Sequence, residues 1–324
     1  MTVLDGIELD ICPRNRVKDS IKLNEPLDDV LHVIMVVSNP CCYFRRYQLA
    51  REFILRMEKE EKIQLYLVEL CYGKQPFILS QKNNPNHLQL RTAHPIWHKE
   101  NMINVGTQLL PSSWKAMAWI DADIEFESST WVTDTLKILN GYADIVQLFS
   151  HAVDMDKDES SMQVVNSGGY QYEKKLPYRM GVNYWHPGYA WACTRKAYET
   201  MGGLYENAIL GSGDQIMMLS LFGQVTNAIN PNNHEQYKKD ALFFQERVKH
   251  LRFSYVPGVI RHYFHGTKAN RRYRERWQIL VDHQYHPKKH LYKQANGLLV
   301  PSAACPSKLL VDILQYFKDR NEDD

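Results

Sequence analysis

The stretch Met117-Ala118-Trp119-Ile120-Asp121-Ala122-Asp123-Ile124-Glu125-Phe126 runs from a short apolar strand straight into carboxylates. A buried strand ends in charge where its end opens onto water, a metal or a ligand, because an unpaired charge in an apolar interior is strongly disfavoured. Side chains at i, i+2 and i+4 share one face of a strand, so Asp121, Asp123 and Glu125 are expected to converge if the strand persists that far. That is a seat for a hard divalent cation. A D-x-D triplet alone is expected roughly once by chance in a chain of this length. Asp154-Met155-Asp156-Lys157-Asp158 holds two more, but in a polar run with no apolar strand ahead, and reads as a solvated loop. It also fails as an EF-hand, whose glycine position falls at Glu159 and whose bidentate glutamate position falls at Val165.

Upstream, Val30-Leu31-His32-Val33-Ile34-Met35-Val36-Val37 is a near-continuous β-branched run stopped by Ser38-Asn39-Pro40, the pattern of a parallel strand covered on both faces. Tyr43, Tyr47, Ala50, Ile54 and Met57 then recur at helical spacing. A second strand over 63–70 carries Glu69 near its C-terminal end, where open α/β sheets gather ligands, so Glu69 is a candidate contact to a ribose or base. Brief strands are expected over 87–91 and 144–149, and helices over 98–110 and 130–139, the latter stopped by Asn140-Gly141. Strands alternating with helices predict an α/β domain with a mostly parallel sheet.

The chain has 324 residues, 44% hydrophobic and 23% charged, enough for one large α/β domain or two small ones. Its formal net charge of +2 lacks the basic footprint of a nucleic-acid binder. The six cysteines form no C-x-x-C pair and two are adjacent, Cys41 and Cys42, which argues against a zinc ribbon or a disulfide framework and for a reducing compartment. Residues 1–25 lack the apolar core of a signal peptide, no stretch has the length of a membrane span, and no N-x-S/T site occurs. A cytoplasmic location is the expectation.

Past Ser150 the texture changes. Residues 151–175 are polar, include Ser167-Gly168-Gly169, and are expected to form a mobile loop. The aromatic cluster Tyr184-Trp185-His186-Pro187-Gly188-Tyr189-Ala190-Trp191 follows; such a cluster either packs or stacks on the apolar faces of sugars, with Trp185 and Trp191 the candidates. A helix over 194–201 ends at Gly202-Gly203, and Gly211-Ser212-Gly213-Asp214 opens another over 215–222. Glycines with an acid at a helix start suit an anion or a hydroxyl brought close to the backbone, at Gly213 above all, although an N-cap by Asp214 accounts equally for the acid. Residues 227–240 read as a polar insertion. Two histidines, His262 and His265, then sit among apolar residues, and a basic run over 268–276 is expected on a helix, either as a solvated face or as a partner for phosphates.

Over about 30–276 this layout resembles the nucleotide-sugar-dependent glycosyltransferases of the GT-A fold. Trp119-Ile120-Asp121-Ala122-Asp123 is similar to that family's D-x-D strand. The succession Gly188-Tyr189-Ala190-Trp191, Arg195, Gly202-Gly203-Leu204-Tyr205 and Gly213-Asp214 is similar to its acceptor half. Ile260-Arg261-His262 is similar to the late metal-binding histidine of animal galactosyltransferases. Where those enzymes show consecutive acids, this chain has Gly-Ser-Gly-Asp.

The resemblance implies a GT-A domain over 30–266, divided into a nucleotide-binding half, 30–127, and an acceptor half, 128–266. An N-terminal extension, 1–29, and a C-terminal helical extension, 267–324, would flank it. It implies Mn2+ or Mg2+ bridging the phosphates of a nucleoside-diphosphate sugar, with UDP the expected nucleotide, and a glycan or other hydroxyl-bearing acceptor. Asp123 would be a direct ligand, Asp121 would face ribose or metal, His262 would be the late ligand and His265 its substitute. Asn39 and Glu69 would face the nucleoside, and Asp214 would be the general base if the enzyme inverts configuration.

Three other readings compete: a two-metal phosphodiesterase or nuclease using Asp121, Asp123 and Glu125; a sugar-nucleotide pyrophosphorylase; and a catalytically inactive sugar-nucleotide-binding module. The second wants a Gly-rich basic loop after the first strand, which Ser38-Asn39-Pro40-Cys41-Cys42 is not.

Overall fold

The computed structural model describes residues 30–176, 185–273 and 275–324, with the backbone of a hairpin formed by β1 (Thr2–Leu4) and β2 (Ile7–Leu9). The rest of the expected N-terminal extension, with Cys12, and also Tyr184 and Arg274 lie outside the described residues.

Strand β3 (Leu31–Ser38) pairs in parallel with β4 (Ile63–Tyr72), and β4 with β5 (His87–Thr92). On its other side β3 pairs in parallel with β6 (Ala116–Ile120), all five of whose residues are buried. Alternate side chains of β3 feed opposite cores: Val33, Met35 and Val37 go to one face, Ile34 and Val36 to the other. That is why the run reads as continuously apolar. Helix α1 (Phe44–Met57) returns the chain across one face, burying Leu49, Ala50, Phe53 and Met57 at helical spacing. Helix α2 (Lys99–Gly106) lies against the other face, and Gly106 packs so closely on Ile34 and Val68 that a Cβ there would stand 3.0 and 2.9 Å from their methyl groups.

The sheet has seven strands, completed by β8 (Ile145–Gln147), β12 (Ala190–Thr194) and β13 (Phe253–Tyr255). Its order is β13-β8-β12-β6-β3-β4-β5, and β12 alone runs against the others. The protein is therefore α/β, with the mostly parallel sheet expected. Strand β12 itself was not expected. Its five residues are small or aromatic, and only the Pro187-Gly188 turn before them punctuates the chain.

A second, five-stranded sheet crosses the C-terminal end of β6, in the order β11-β10-β9-β14-β7: β7 (Ile124–Phe126), β9 (His151–Met155), β10 (Ser161–Ser167), β11 (Trp185–His186) and β14 (Val259–His262). This corrects the mobile loop expected over 151–175. The polar segment is a hairpin plus a short helix, α4 (Gly168–Glu173) after α3 (Trp131–Leu139), and its polar residues are spent on the fold and on the site. Gly169 is required there by close approach, because a Cβ would stand 2.5 Å from the Ser254 carbonyl oxygen. Within the polar insertion expected over 227–240, residues 235–240 begin a helix over Glu235–Val248. The basic run is not one helix but two short 3-10 turns, Lys268–Arg271 and Glu275–Trp277, separated by Arg272 at φ 40°.

The C-terminal helix over Ser307–Asp319 buries Leu309, Ile313, Tyr316 and Phe317 in the same core as Ile34 and Trp119. No helix among the described residues is long and apolar enough to cross a membrane. All five described cysteines are free.

Candidate metal and sugar-nucleotide site

Strand β6 stops at Ile120, and Asp121-Ala122-Asp123 forms a turn before β7. The carboxylates therefore fan out instead of sharing one face. Asp121 pairs with Lys99 at the start of α2. Glu125 accepts the Tyr263 hydroxyl proton and does not line the cavity, which corrects its expected convergence with the other two and removes one carboxylate from the two-metal reading. Asp123 meets both histidines: its Oδ2 lies 2.9 Å from His265 Nε2 and 3.7 Å from His262 Nε2.

The second sheet makes that meeting. Strand β14 pairs antiparallel to β7, with His262 opposite Ile124, and parallel to β9, with His262 opposite Asp154. His262 Nδ1 lies 2.7 Å from Asp154 Oδ1. A carboxylate only accepts, so the imidazole donates from Nδ1, and Nε2 is the nitrogen turned toward Asp123. Tyr189 donates its hydroxyl to Asp154 at 2.8 Å, and Lys268 pairs with the other Asp154 oxygen. This corrects the solvated-loop reading of Asp154, which is 1% exposed. Asp156 and Asp158 do sit in a turn as expected, Asp156 accepting from the Ser160 and Asp158 amides and Asp158 exposed.

The donor set fits a divalent cation. One ligand atom each from Asp123, His262 and His265 lies within 4.8 Å of the others. Asp123 Oδ1 is buried with no hydrogen-bond partner. Arg271 Nη2, which can only donate, stands 2.8 Å from His265 Nε2, so in the absence of a cation that nitrogen accepts from the guanidinium. His265 Nε2 and Asp123 Oδ2 stand 2.9 Å apart, with the Arg271 guanidinium against the same nitrogen. Burial pushes the Asp123 carboxyl up, but His262 and His265 outweigh it and hold it well below the usual range.

A cavity of about 740 Å3 opens beside these three side chains, in the range of small-molecule sites. Asp121, Asp123, His262, His265, Trp185 and Asp214 all line it. Asp214 lies in the first turn of a helix over Gly213–Leu221, its Oδ1 accepting from the Gln215 amide at 2.8 Å. Its Oδ2 faces Gly188, where a Cβ would intrude to 2.5 Å. Gly213 is fitted as tightly, since a Cβ would come within 2.5 Å of the Glu100 carboxyl. Ser212, at φ 74°, is fixed by Arg276 Nη2 at 2.5 Å and Trp277 Nε1 at 3.0 Å.

Three expected contacts fall elsewhere. Asn39 closes a turn, bonding the Tyr43 amide and carbonyl at 3.0 and 2.8 Å, and does not line the cavity. Glu69, 1% exposed, accepts from the amides of Ile78, Leu79 and Ser80 and so anchors a loop. Trp191 is core: it stacks on Trp119 at 6.1 Å and donates to the Pro187 carbonyl.

Sequence reasoning missed Lys99, Glu100, Asp154, His186 and Glu322. Burial pushes Glu100 up to about 8, with Asp214 adding to it against Lys99. Burial also pushes His186 down to about 4, leaving a neutral ring stacked on Tyr189 at 3.7 Å. Only the extra D-x-D triplet at Asp154 carried any signal.

The sequence matches no known family model and no curated protein. Among solved structures, a mutant Drosophila beta1,4galactosyltransferase 7 in complex with manganese, UDP-Gal and xylobiose is 10% identical, with 88% of this chain and 99% of that one covered at a TM-score of 0.43. For the catalytic domain of that enzyme with xylobiose the figures are 10%, 60%, 62% and 0.33, so the chain spans less than two thirds of it. For GalNAc-T7 with UDP, GalNAc and Mn2+ they are 11%, 80%, 48% and 0.43.

Proposed function

We propose that this chain is a glycosyltransferase of the GT-A type that moves a sugar from a nucleoside-diphosphate sugar, with UDP the expected nucleotide, to a hydroxyl acceptor. The observation that carries the reading is the convergence of Asp123, His262 and His265 on one point of a cavity that also holds Asp214. Two imidazoles and one carboxylate favour Mn2+ over Mg2+, which prefers an all-oxygen shell. When bound, such a cation neutralises charge developing on a diphosphate leaving group.

The chain's own groups supply the rest. Lys268 and Arg271 line the same cavity as the three ligands and offer positive charge to phosphate oxygens. Asp214 keeps Oδ2 open toward Gly188, in position to take the proton of an acceptor hydroxyl. Asp121, tied to Lys99, orients the donor.

The test is a thermal-shift panel of nucleotide sugars with and without Mn2+. A donor at about 100 times its Kd stabilises the fold by about 2.7 kcal/mol. Wild type should show a Mn2+-dependent rise in Tm that Asp123→Ala loses. An equal rise in EDTA, or an unaltered rise in the variant, would sink the proposal.

A further inference from the structure

His262 has a carboxylate behind it, and the structure places a second one behind His265. Glu322 Oε2 lies 3.6 Å from His265 Nδ1, just beyond hydrogen-bond distance, and Nδ1 is buried with no hydrogen-bond partner. Glu322 belongs to the segment 320–323, remote in sequence from the site, and is 2% exposed. Resting on the metal-site reading above, we infer that Glu322 is a positioning residue for the cation: it holds His265 in the tautomer and orientation that turn Nε2 toward Asp123.

Four observations meet here. First, Arg271 donates toward His265 Nε2 at 2.8 Å, which puts the ring hydrogen on Nδ1, the nitrogen that faces Glu322. Second, Glu322 is held rigidly, since Arg46 grips it with Nε at 2.6 Å and Nη2 at 2.7 Å, and Arg320 Nε lies 2.7 Å from Oε1. Third, the segment around it is fastened to the nucleotide half. Asp323 caps α1 through the amides of Phe44 and Arg45 at 3.0 and 2.8 Å, and the Asn321 amide donates to the Tyr43 hydroxyl at 3.1 Å. Fourth, the histidine loop is shaped to receive it: Gly266, at φ 83°, has no Cβ where one would meet Glu322 Cα and the Asn321 carbonyl oxygen at 2.9 Å.

Arg46 extends the linkage by donating to the Ser38 carbonyl at 2.7 Å, at the end of β3. Segment 320–323 therefore ties the first strand of the nucleotide half to one metal ligand. Carboxylates behind ligating histidines raise ligand basicity and fix the ring, and their loss typically costs about 10–100-fold in metal affinity.

The experiment uses the full chain and Mn2+ alone, with free Mn2+ followed by electron paramagnetic resonance. Glu322→Gln, nearly isosteric, should raise the Mn2+ Kd by about 10–100-fold while higher Mn2+ still fills the site. Asp123→Ala serves as the reference. An unchanged Kd in Glu322→Gln, beside lost binding in Asp123→Ala, overturns the inference and leaves the metal site standing. Unchanged binding in both removes the site as well. Should Glu322→Gln not fold, nitrogen-15 histidine spectra of metal-free wild type decide: a hydrogen on His265 Nδ1 supports the assignment, and one on Nε2 overturns it.

Discussion

Asp154 Oδ1 lies 2.7 Å from His262 Nδ1 although 108 residues separate them, and the parallel pairing of β9 with β14 brings them level. Burial opposes charge on Asp154, yet His262 and Lys268 hold its carboxyl far below the usual range, so a full negative charge stands behind His262. Asp154→Asn should weaken Mn2+ binding by about 10–100-fold, since the amide keeps the shape and loses the charge. Titration calorimetry with Mn2+ measures it, and wild-type affinity in the variant would reduce Asp154 to a packing residue.

The two faces of the site make separable demands on turnover. Asp214 touches no metal ligand through a hydrogen bond among the described residues, so Asp214→Asn should keep the Mn2+-dependent donor shift in Tm. Transfer should fall by about 100- to 10,000-fold, the usual share of general base catalysis. Retained turnover beside normal donor binding would reassign Asp214 to orienting a substrate. Loss of turnover would also set aside the inactive-module reading.

Trp191 separates packing from recognition. It is 1% exposed, stacks on Trp119 and Phe253, and has no wall in the cavity. Trp191→Ala should cost about 3–5 kcal/mol of stability by leaving a void. At temperatures where the variant is folded, the increment in Tm caused by donor and Mn2+ should match wild type. A selective loss of that increment would restore Trp191 to the site.

What the sequence made legible follows its physical signals. Long strands such as β3 and β4 are read directly because a run buried on both faces is apolar throughout. The D-x-D turn, both histidines and Asp214 are read as chemistry, and the fold does bring them to one cavity. Strands β9 and β10 were illegible. Their polar residues satisfy partners that come from β14 and from Lys268, and no local pattern announces those partners. Glu322 was hidden for the same reason: an acid in an acidic tail looks solvated until Arg46 and Arg320 close on it. Asn39 and Glu69 show the reverse error. A polar residue at a strand's C-terminal end is as useful for closing a turn or anchoring a loop as for meeting a nucleoside.

Glu100 gives the site a pH signature that needs no substrate. It is 5% exposed, packs against Gly213, and burial with Asp214 nearby pushes its carboxyl up to about 8 from 4.5. The folded form therefore holds a proton that the unfolded chain releases at a lower pH. Stability from this group is fully present below about 4.5, declines as pH rises, and is gone above about 8. Glu100→Gln mimics the protonated side chain and removes that dependence. Measured without metal or donor, the Tm of the variant should lie close to wild type near pH 4.5, and the variant should gain steadily relative to wild type up to pH 8 to 9. Parallel Tm curves across that window would show that Glu100 is already ionised in the folded protein, with Lys99 compensating its charge.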